Sequence, residues 1–272
     1  MLAPQLNIAQ RAAREAGNIL RRALQEVDVL QVQQKGSNDF VTEVDRASEK
    51  RIVDVLQKYY PDHGILAEES GLVEGRGEGA DWQWVIDPLD GTTNFIHGFP
   101  QFCISIGLKH KGKLEHAFIY DPMREEEFSA SRGRGAALNG RRIRVGKRTL
   151  LKESLIGTGF PFRQDQMPYL DNYMAMFRDL TQVTTGLRRP GSAALDLAWL
   201  AAGRTDGFFE FGLSEWDMAA GVLLITEAGG LVSDFAGGND FLKNGCIVAG
   251  NPKIFKALLQ TIAPHVPAGL KR

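Results

Sequence analysis

Four carboxylates, Glu68, Asp87, Asp90 and Asp217, stand at the boundaries of predicted elements, where a fold could gather them. Residues 82–86 form an apolar, aromatic and β-branched run that reads as a buried strand. Asp87-Pro88 halts it, because proline has no N–H for a ladder and restricts the residue before it. Asp90 follows, Gly91 permits a tight turn, and Thr92-Thr93-Asn94 suit a helix start. A strand thus delivers two carboxylates to its C-terminal end and opens into free backbone N–H groups. Carboxylate oxygens hold a hard divalent cation, and N–H groups at a helix start hold phosphate. Together they point to magnesium-assisted phosphoryl chemistry. An isolated Asp-Pro-x-Asp-Gly is equally an ordinary turn, so the remaining elements decide.

The elements that must position these groups follow in order. Leu6, Ala9, Ala13, Ala16, Ile19, Leu20 and Leu24 recur at helical spacing and predict an amphipathic helix over about 4–26. Residues 27–33 alternate like a short strand, and 35–45 read as a polar loop from which Lys35 could reach a phosphate. Asp45 opens a helix carrying Ala47, Ile52, Val55 and Leu56 inward, ended by Tyr60-Pro61. Residues 64–67 are a short apolar strand stopped by Glu68-Glu69-Ser70, and the glycine-rich 71–81 reads as a surface loop. Strands at 102–109, 114–120 and 127–130 suggest an antiparallel meander, with a glycine-rich turn region at 133–140. A strand at 154–158 and a helix at 167–180 follow. Gly191-Ser192-Ala193 starts another helix, and the strand 207–211 sets Glu210 among aromatics. Ser214-Glu-Trp-Asp217 opens a helix closed by Gly229-Gly230, so Asp217 has an alternative role as a first-turn charge on the helix dipole. Strands at 231–234 and 246–249 and a helix at 252–262 complete the chain.

The 272 residues accommodate one large domain, read as two lobes of about 1–150 and 151–272 sharing one core. Lys and Arg total 32 against 33 Asp and Glu, a net charge of -1, which argues against strong binding of nucleic acid or membrane by global charge. Arg188-Arg189 is a local basic pair. The two cysteines, Cys103 and Cys246, lie inside apolar runs without metal-ligand spacing and read as buried free thiols. No apolar run approaches a membrane span and no signal core opens the chain, which predicts a cytoplasmic protein.

Asp87-Pro-Leu-Asp-Gly-Thr-Thr-Asn94 and Glu215-Trp-Asp-Met-Ala-Ala-Gly221 resemble the two signatures of the inositol monophosphatase family, and Gly64-Ile-Leu-Ala-Glu-Glu-Ser70 resembles its metal-binding glutamate segment. The resemblance runs in order over the whole chain. Ser37-Asn-Asp-Phe-Val-Thr42, Arg188-Arg-Pro-Gly-Ser-Ala-Ala-Leu-Asp-Leu-Ala198 and the ending Leu270-Lys-Arg272 look like a bacterial branch of that family.

The resemblance implies an α/β fold layered αβαβα, a homodimer, and Mg²⁺-dependent, lithium-sensitive hydrolysis of myo-inositol monophosphates. It implies that Glu68, Asp87 and the Leu89 carbonyl hold one magnesium and Asp87, Asp90 and Asp217 a second, with Glu68 sharing a weaker third. Thr92, hydrogen-bonded to Asp45, and Glu68 are then the groups that orient a water and take its proton, with no phosphoenzyme. Gly91 and Thr92 would hold the phosphate through backbone N–H groups. Asp90, Gly191, Ser192, Ala193, Glu210 and Asp217 would form the inositol side. Arg188, Arg189 and Lys35 are left as phosphate, dimer or partner contacts. The bacterial branch also implies a second role, in which the chain joins RNA polymerase and Nus factors in transcription antitermination. Fructose 1,6-bisphosphate or an adenosine bisphosphate remain alternative substrates.

Overall fold

The computed structural model describes residues 3–25, 32–36 and 39–270, with the backbone alone for 32–36 and 39–42. In chain order, α1 (Pro4–Leu24) is followed by the antiparallel pair β1 (Val32–Gly36) and β2 (Asp39–Thr42), then by α2 (Glu43–Tyr59). β3 (Gly64–Ala67), β4 (Gly71–Val73) and β5 (Trp82–Asp90) lead into the short α3 (Thr92–Ile96). β6 (Cys103–His110), β7 (Lys113–Asp121), β8 (Glu126–Ser131), β9 (Gly135–Leu138) and β10 (Arg141–Arg142) form the meander. β11 (Leu155–Thr158), α4 (Leu170–Val183), β12 (Gly186–Arg188), α5 (Ala193–Ala201), β13 (Gly207–Glu210) and α6 (Glu215–Glu227) come next. β14 (Leu231–Ser233), α7 (Phe241–Asn244), β15 (Ile247–Gly250) and α8 (Pro252–Ile262) close the fold.

The result is the expected α/β sandwich in five layers. An eight-stranded sheet runs β10-β9-β8-β7-β6-β5-β3-β4 and a five-stranded sheet runs β12-β11-β13-β15-β14. α1 and α2 cover the outer face of the first, burying Leu6, Ala9, Ala13, Ala16 and Leu20 against Ile52, Leu56, Trp84 and Phe118. The helical spacing of those alanines brings α1 close to the sheet. α5 and α6 lie between the sheets. Apart from Asp196 on α5 and the polar residues at the two ends of α6, their surfaces are apolar, with Met218, Leu223, Leu224 and Ile225 buried, as a helix covered on both sides requires. α4 and α8 cover the second sheet through Met176, Leu180, Ile254 and Leu258. No described helix is long and apolar enough to cross a membrane. Both cysteines are buried free thiols.

Four sequence expectations need correction. The loop expected over 35–45 holds the end of β1 and all of β2, whose pairing sets Val32 against Thr42 and Gln34 against Phe40. The β-branched and aromatic Phe40, Val41 and Thr42 favour extended backbone there. β4 pairs with β3 inside the expected 71–81 loop, and β9 lies inside the glycine-rich 133–140. β5 does not stop at Asp87-Pro88 but runs on to Asp90. Proline is tolerated because the pairing slips there: Asp87 faces Ser105 and Asp90 faces Cys103, leaving Pro88 without a partner on β6. The strand expected over 27–33 falls largely on residues outside those described, as do Ser37, Asn38, Lys271 and Arg272.

Candidate active site

β3 and β5 are parallel neighbours, with Ala67 beside Ile86, so the chain leaves both at the same end of the sheet. Glu68 therefore emerges next to Asp87, and its N–H donates to the Ile86 carbonyl at 3.2 Å. Parallel pairing turns two residues distant in sequence into neighbours. Asp87 is 2% exposed, and its Oδ1 accepts the Leu89 N–H at 3.0 Å. The bulge then re-aims the chain so that Asp90 also reaches the site. Gly91 follows with φ of +101°, and a Cβ there would lie 2.9 Å from the Gln101 carbonyl oxygen. Only glycine meets both conditions without strain.

Asp90 is held by the start of α5. Its Oδ2 accepts from Ser192 Oγ and from the Ala194 N–H, each at 2.7 Å, and lies 3.8 Å from the Cys103 thiol. Ser192 thus braces Asp90, a sharper role than the general inositol-side position expected of it. Asn94 Nδ2 lies within reach of the carbonyls of Gln101, Pro190 and Gly191, at 2.7, 2.8 and 3.2 Å, and ties the loop before α5 to α3. Thr92 Oγ1 has Asp45 Oδ1 at 3.0 Å and the Leu89 carbonyl at 3.2 Å as acceptors. Asp45, 1% exposed, comes from the first turn of α2. α3 has only five residues, so its exposed N–H groups, rather than a long helix dipole, are what it offers an anion.

Asp217 sits at the third position of α6, where Oδ2 accepts the Ser214 N–H at 2.7 Å. The capping role is real and occupies one carboxylate oxygen. Glu210 ends β13, and its carboxyl fills space that Gly159 leaves free, where a Cβ would collide with Oε1. Arg189 stacks on Phe160 at 4.1 Å and reaches over Gly191. Arg188 is exposed and bonds the Leu187 carbonyl at 2.9 Å. Lys35 lies on β1, with its side chain outside those described.

The electrostatics bind these groups into one cluster. Burial pushes the Asp87 carboxyl well above its ordinary range, and the charges of Glu68, Asp90 and Asp217 push it further. Burial also raises Asp90, opposed by Ser192 and the N–H groups at the start of α5. Asp217 is pushed up to about 7, by burial first and Asp90 second. Glu210 rises to about 8 through burial, with Arg189 pulling the other way. Among the described residues no three acidic, histidine or cysteine side chains already converge as a closed cage; Asp90 and Asp217 each spend carboxylate oxygen on hydrogen bonds to nearby turns. Mutually repelling carboxylates at strand and helix ends, all hard oxygen donors, fit a divalent cation, which would convert repulsion into attraction.

Three participants escaped the sequence reading. Ser48 and Glu49 lie one turn beyond Asp45 on the buried face of α2. Asp196 lies one turn beyond Ser192 on α5, and Glu210 and Asp90 both add to the upward push that burial gives its carboxyl. Their i+3 and i+4 spacing from recognised residues was the available signal.

A family model for the inositol monophosphatase family matches residues 1–267. The chain belongs to the inositol monophosphatase family. A Pseudomonas aeruginosa protein named Nus factor SuhB is 64% identical over 99% of both chains. The crystal structure of the extragenic suppressor protein suhB from Bartonella henselae superposes with a TM-score of 0.93 at 44% identity, covering 97% of this chain and 100% of that one. An inositol monophosphatase from Anabaena superposes at 0.84 with 41% identity, covering 97% and 96%.

Proposed function

We propose that the chain is a magnesium-dependent phosphomonoesterase that hydrolyses inositol monophosphate to inositol and phosphate. The observation that carries this reading is the junction of Glu68, Asp87 and Asp90 at the parallel ends of β3 and β5, with Asp217 adding its charge to theirs. Glu68, Asp87 and the Leu89 carbonyl would hold one ion and Asp87, Asp90 and Asp217 a second, with a third shared by Glu68. Bound there, magnesium supplies Lewis acidity to both the attacking and leaving oxygens of an in-line displacement.

The chain's own groups supply the rest. Thr92, oriented by Asp45, and Glu68 align the attacking water and take up its proton. The Gly91 and Thr92 N–H groups bind the phosphate oxygens. Glu210 and the Gly191–Ala193 segment face the polyol, whose hydroxyls hydrogen-bond to the Glu210 carboxyl. Arg189, beside Gly191, adds positive charge at the rim. The protein acts as a homodimer in this reading.

The test is phosphate release from inositol 1-phosphate with and without Mg²⁺, compared with fructose 1,6-bisphosphate and an adenosine bisphosphate. Turnover that ignores Mg²⁺, or that favours either bisphosphate, overturns the assignment.

A second reading rests on the relatives named as Nus factors. In it the chain joins RNA polymerase and Nus proteins, and protein contacts rather than its near-neutral charge provide recruitment. Co-purification with polymerase and Nus proteins tests it; a tagged chain that retains neither counts against it. The two readings are compatible.

A further inference from the structure

We infer that Ser48 and Glu49 of α2 are positioning residues that fix the separation of the carboxylate-bearing ends of β3 and β5, and thereby set metal affinity rather than turnover. This rests on the proposed role of Glu68 and Asp87 as metal ligands. α2 turns a polar stripe inward: Asp45, Ser48 and Glu49 are 1%, 0% and 4% exposed. Their i, i+3, i+4 spacing puts them on one helix face.

Each side chain of the stripe holds a different piece of the site. Asp45 accepts from Thr92, as described above. Ser48 Oγ donates to the Pro88 carbonyl at 2.8 Å. Glu49 Oε2 accepts the Glu69 N–H at 2.8 Å. Pro88 lies in the two-residue gap where the β5–β6 register shifts, so Ser48 satisfies a carbonyl in the segment joining Asp87 to Asp90. Glu69 adjoins Glu68 in the turn between β3 and β4. One rigid helix therefore grips both strand exits, one bond on each side of the Glu68–Asp87 junction. A buried carboxylate is costly inside a helix face, and a charge-assisted bond to a turn N–H is among the stronger ways to hold that turn. Partners that orient ligands in this way tune metal affinity.

The experiment measures Mg²⁺ binding by calorimetry on the full chain, alongside kcat and the half-saturating Mg²⁺ for phosphate release. Glu49→Ala is expected to weaken Mg²⁺ binding by about 10- to 100-fold, the range for such orienting partners, while kcat at saturating Mg²⁺ is retained. Glu49→Gln keeps an acceptor for the Glu69 N–H and recovers most of the affinity. Ser48→Ala shifts affinity in the same direction. Glu227→Ala is the control: it removes a carboxylate that accepts the Gly133 and Gly135 N–H groups at 2.6 Å, at the far end of α6 from Asp217, and leaves Mg²⁺ affinity unchanged. Should Glu49→Ala fail to fold, Glu49→Asp, shorter by one methylene, replaces it.

Wild-type affinity in Glu49→Ala, or a loss confined to kcat, overturns the inference. So does a Glu49→Gln variant as impaired as the alanine. Glu68→Gln separates the two levels. If it weakens binding while Glu49→Ala does not, only the positioning role falls. If it binds Mg²⁺ as wild type does, the ligand assignment and the inference fall together.

Discussion

Replacing Asp87 with asparagine should stabilise the divalent-free protein while abolishing its response to magnesium. Asp87 is 2% exposed, and its charge is opposed by burial and then by Glu68, Asp90 and Asp217. Two like charges ~5 Å apart interact by roughly 3 kcal/mol at an effective dielectric of about 20. Proton uptake caps the penalty, so a gain of about 1–3 kcal/mol at pH 8 is expected on neutralisation. Asparagine keeps an oxygen for the Leu89 N–H, so the local packing survives. For a chain of this size the gain corresponds to a Tm rise of roughly 2–10 °C.

The sign follows from linkage. The folded state holds the Asp87 proton more tightly than the unfolded chain, so wild-type stability falls as pH rises from the ordinary carboxylate range through the raised folded value. The difference between the two proteins should therefore grow as pH rises above the ordinary carboxylate range and shrink as pH falls back to it. Thermal unfolding of EDTA-treated protein, with and without added Mg²⁺, reads both effects. A variant less stable than wild type at pH 8 without metal would refute the like-charge cluster. A variant that keeps the full Mg²⁺-induced Tm rise would refute Asp87 as a ligand.

Thr92→Val removes the hydroxyl that faces Asp45 and should lower kcat by about 10²- to 10⁴-fold, the usual share of a positioned proton-transfer group. Calorimetric Mg²⁺ affinity should stay the same; a matching loss of affinity would contradict this assignment. Glu210, raised from 4.5 to about 8, binds its proton more tightly folded than unfolded, so metal-free stability should decline as pH climbs across that interval. Glu210→Gln should flatten the decline in urea titrations and raise KM for inositol 1-phosphate; an unchanged slope and KM would remove Glu210 from the site. Gly91→Ala should lose about 1–3 kcal/mol from positive φ alone, with the contact to Gln101 adding to it; unchanged denaturant stability would show that the turn tolerates a side chain.

The sequence by itself determined the elements whose pattern is local. The alanine and leucine spacing of α1 follows from a 3.6 period, and the strands β6 to β8 and the apolar run of α6 follow from short or long apolar runs bounded by turn residues, all of which neighbouring residues alone specify. It also named the carboxylates at the strand and helix ends, because Asp-Pro, Asp-Gly and Ser-x-x-Asp carry turn and cap chemistry in a few residues. Whether those carboxylates meet is a different kind of question. Glu68 and Asp87 become neighbours only through the parallel pairing of β3 with β5. Asp217 joins them because α6 packs between two sheets that are distant in sequence. The register slip that carries β5 past Pro88 depends on β6, so a proline read locally as a stop became a bulge. Ser48 and Glu49 looked like ordinary polar positions on a helix until tertiary packing turned that face inward. Local pattern fixes which groups are present, while long-range pairing decides which of them share a site, since the free energy that joins them resides in contacts no short segment contains.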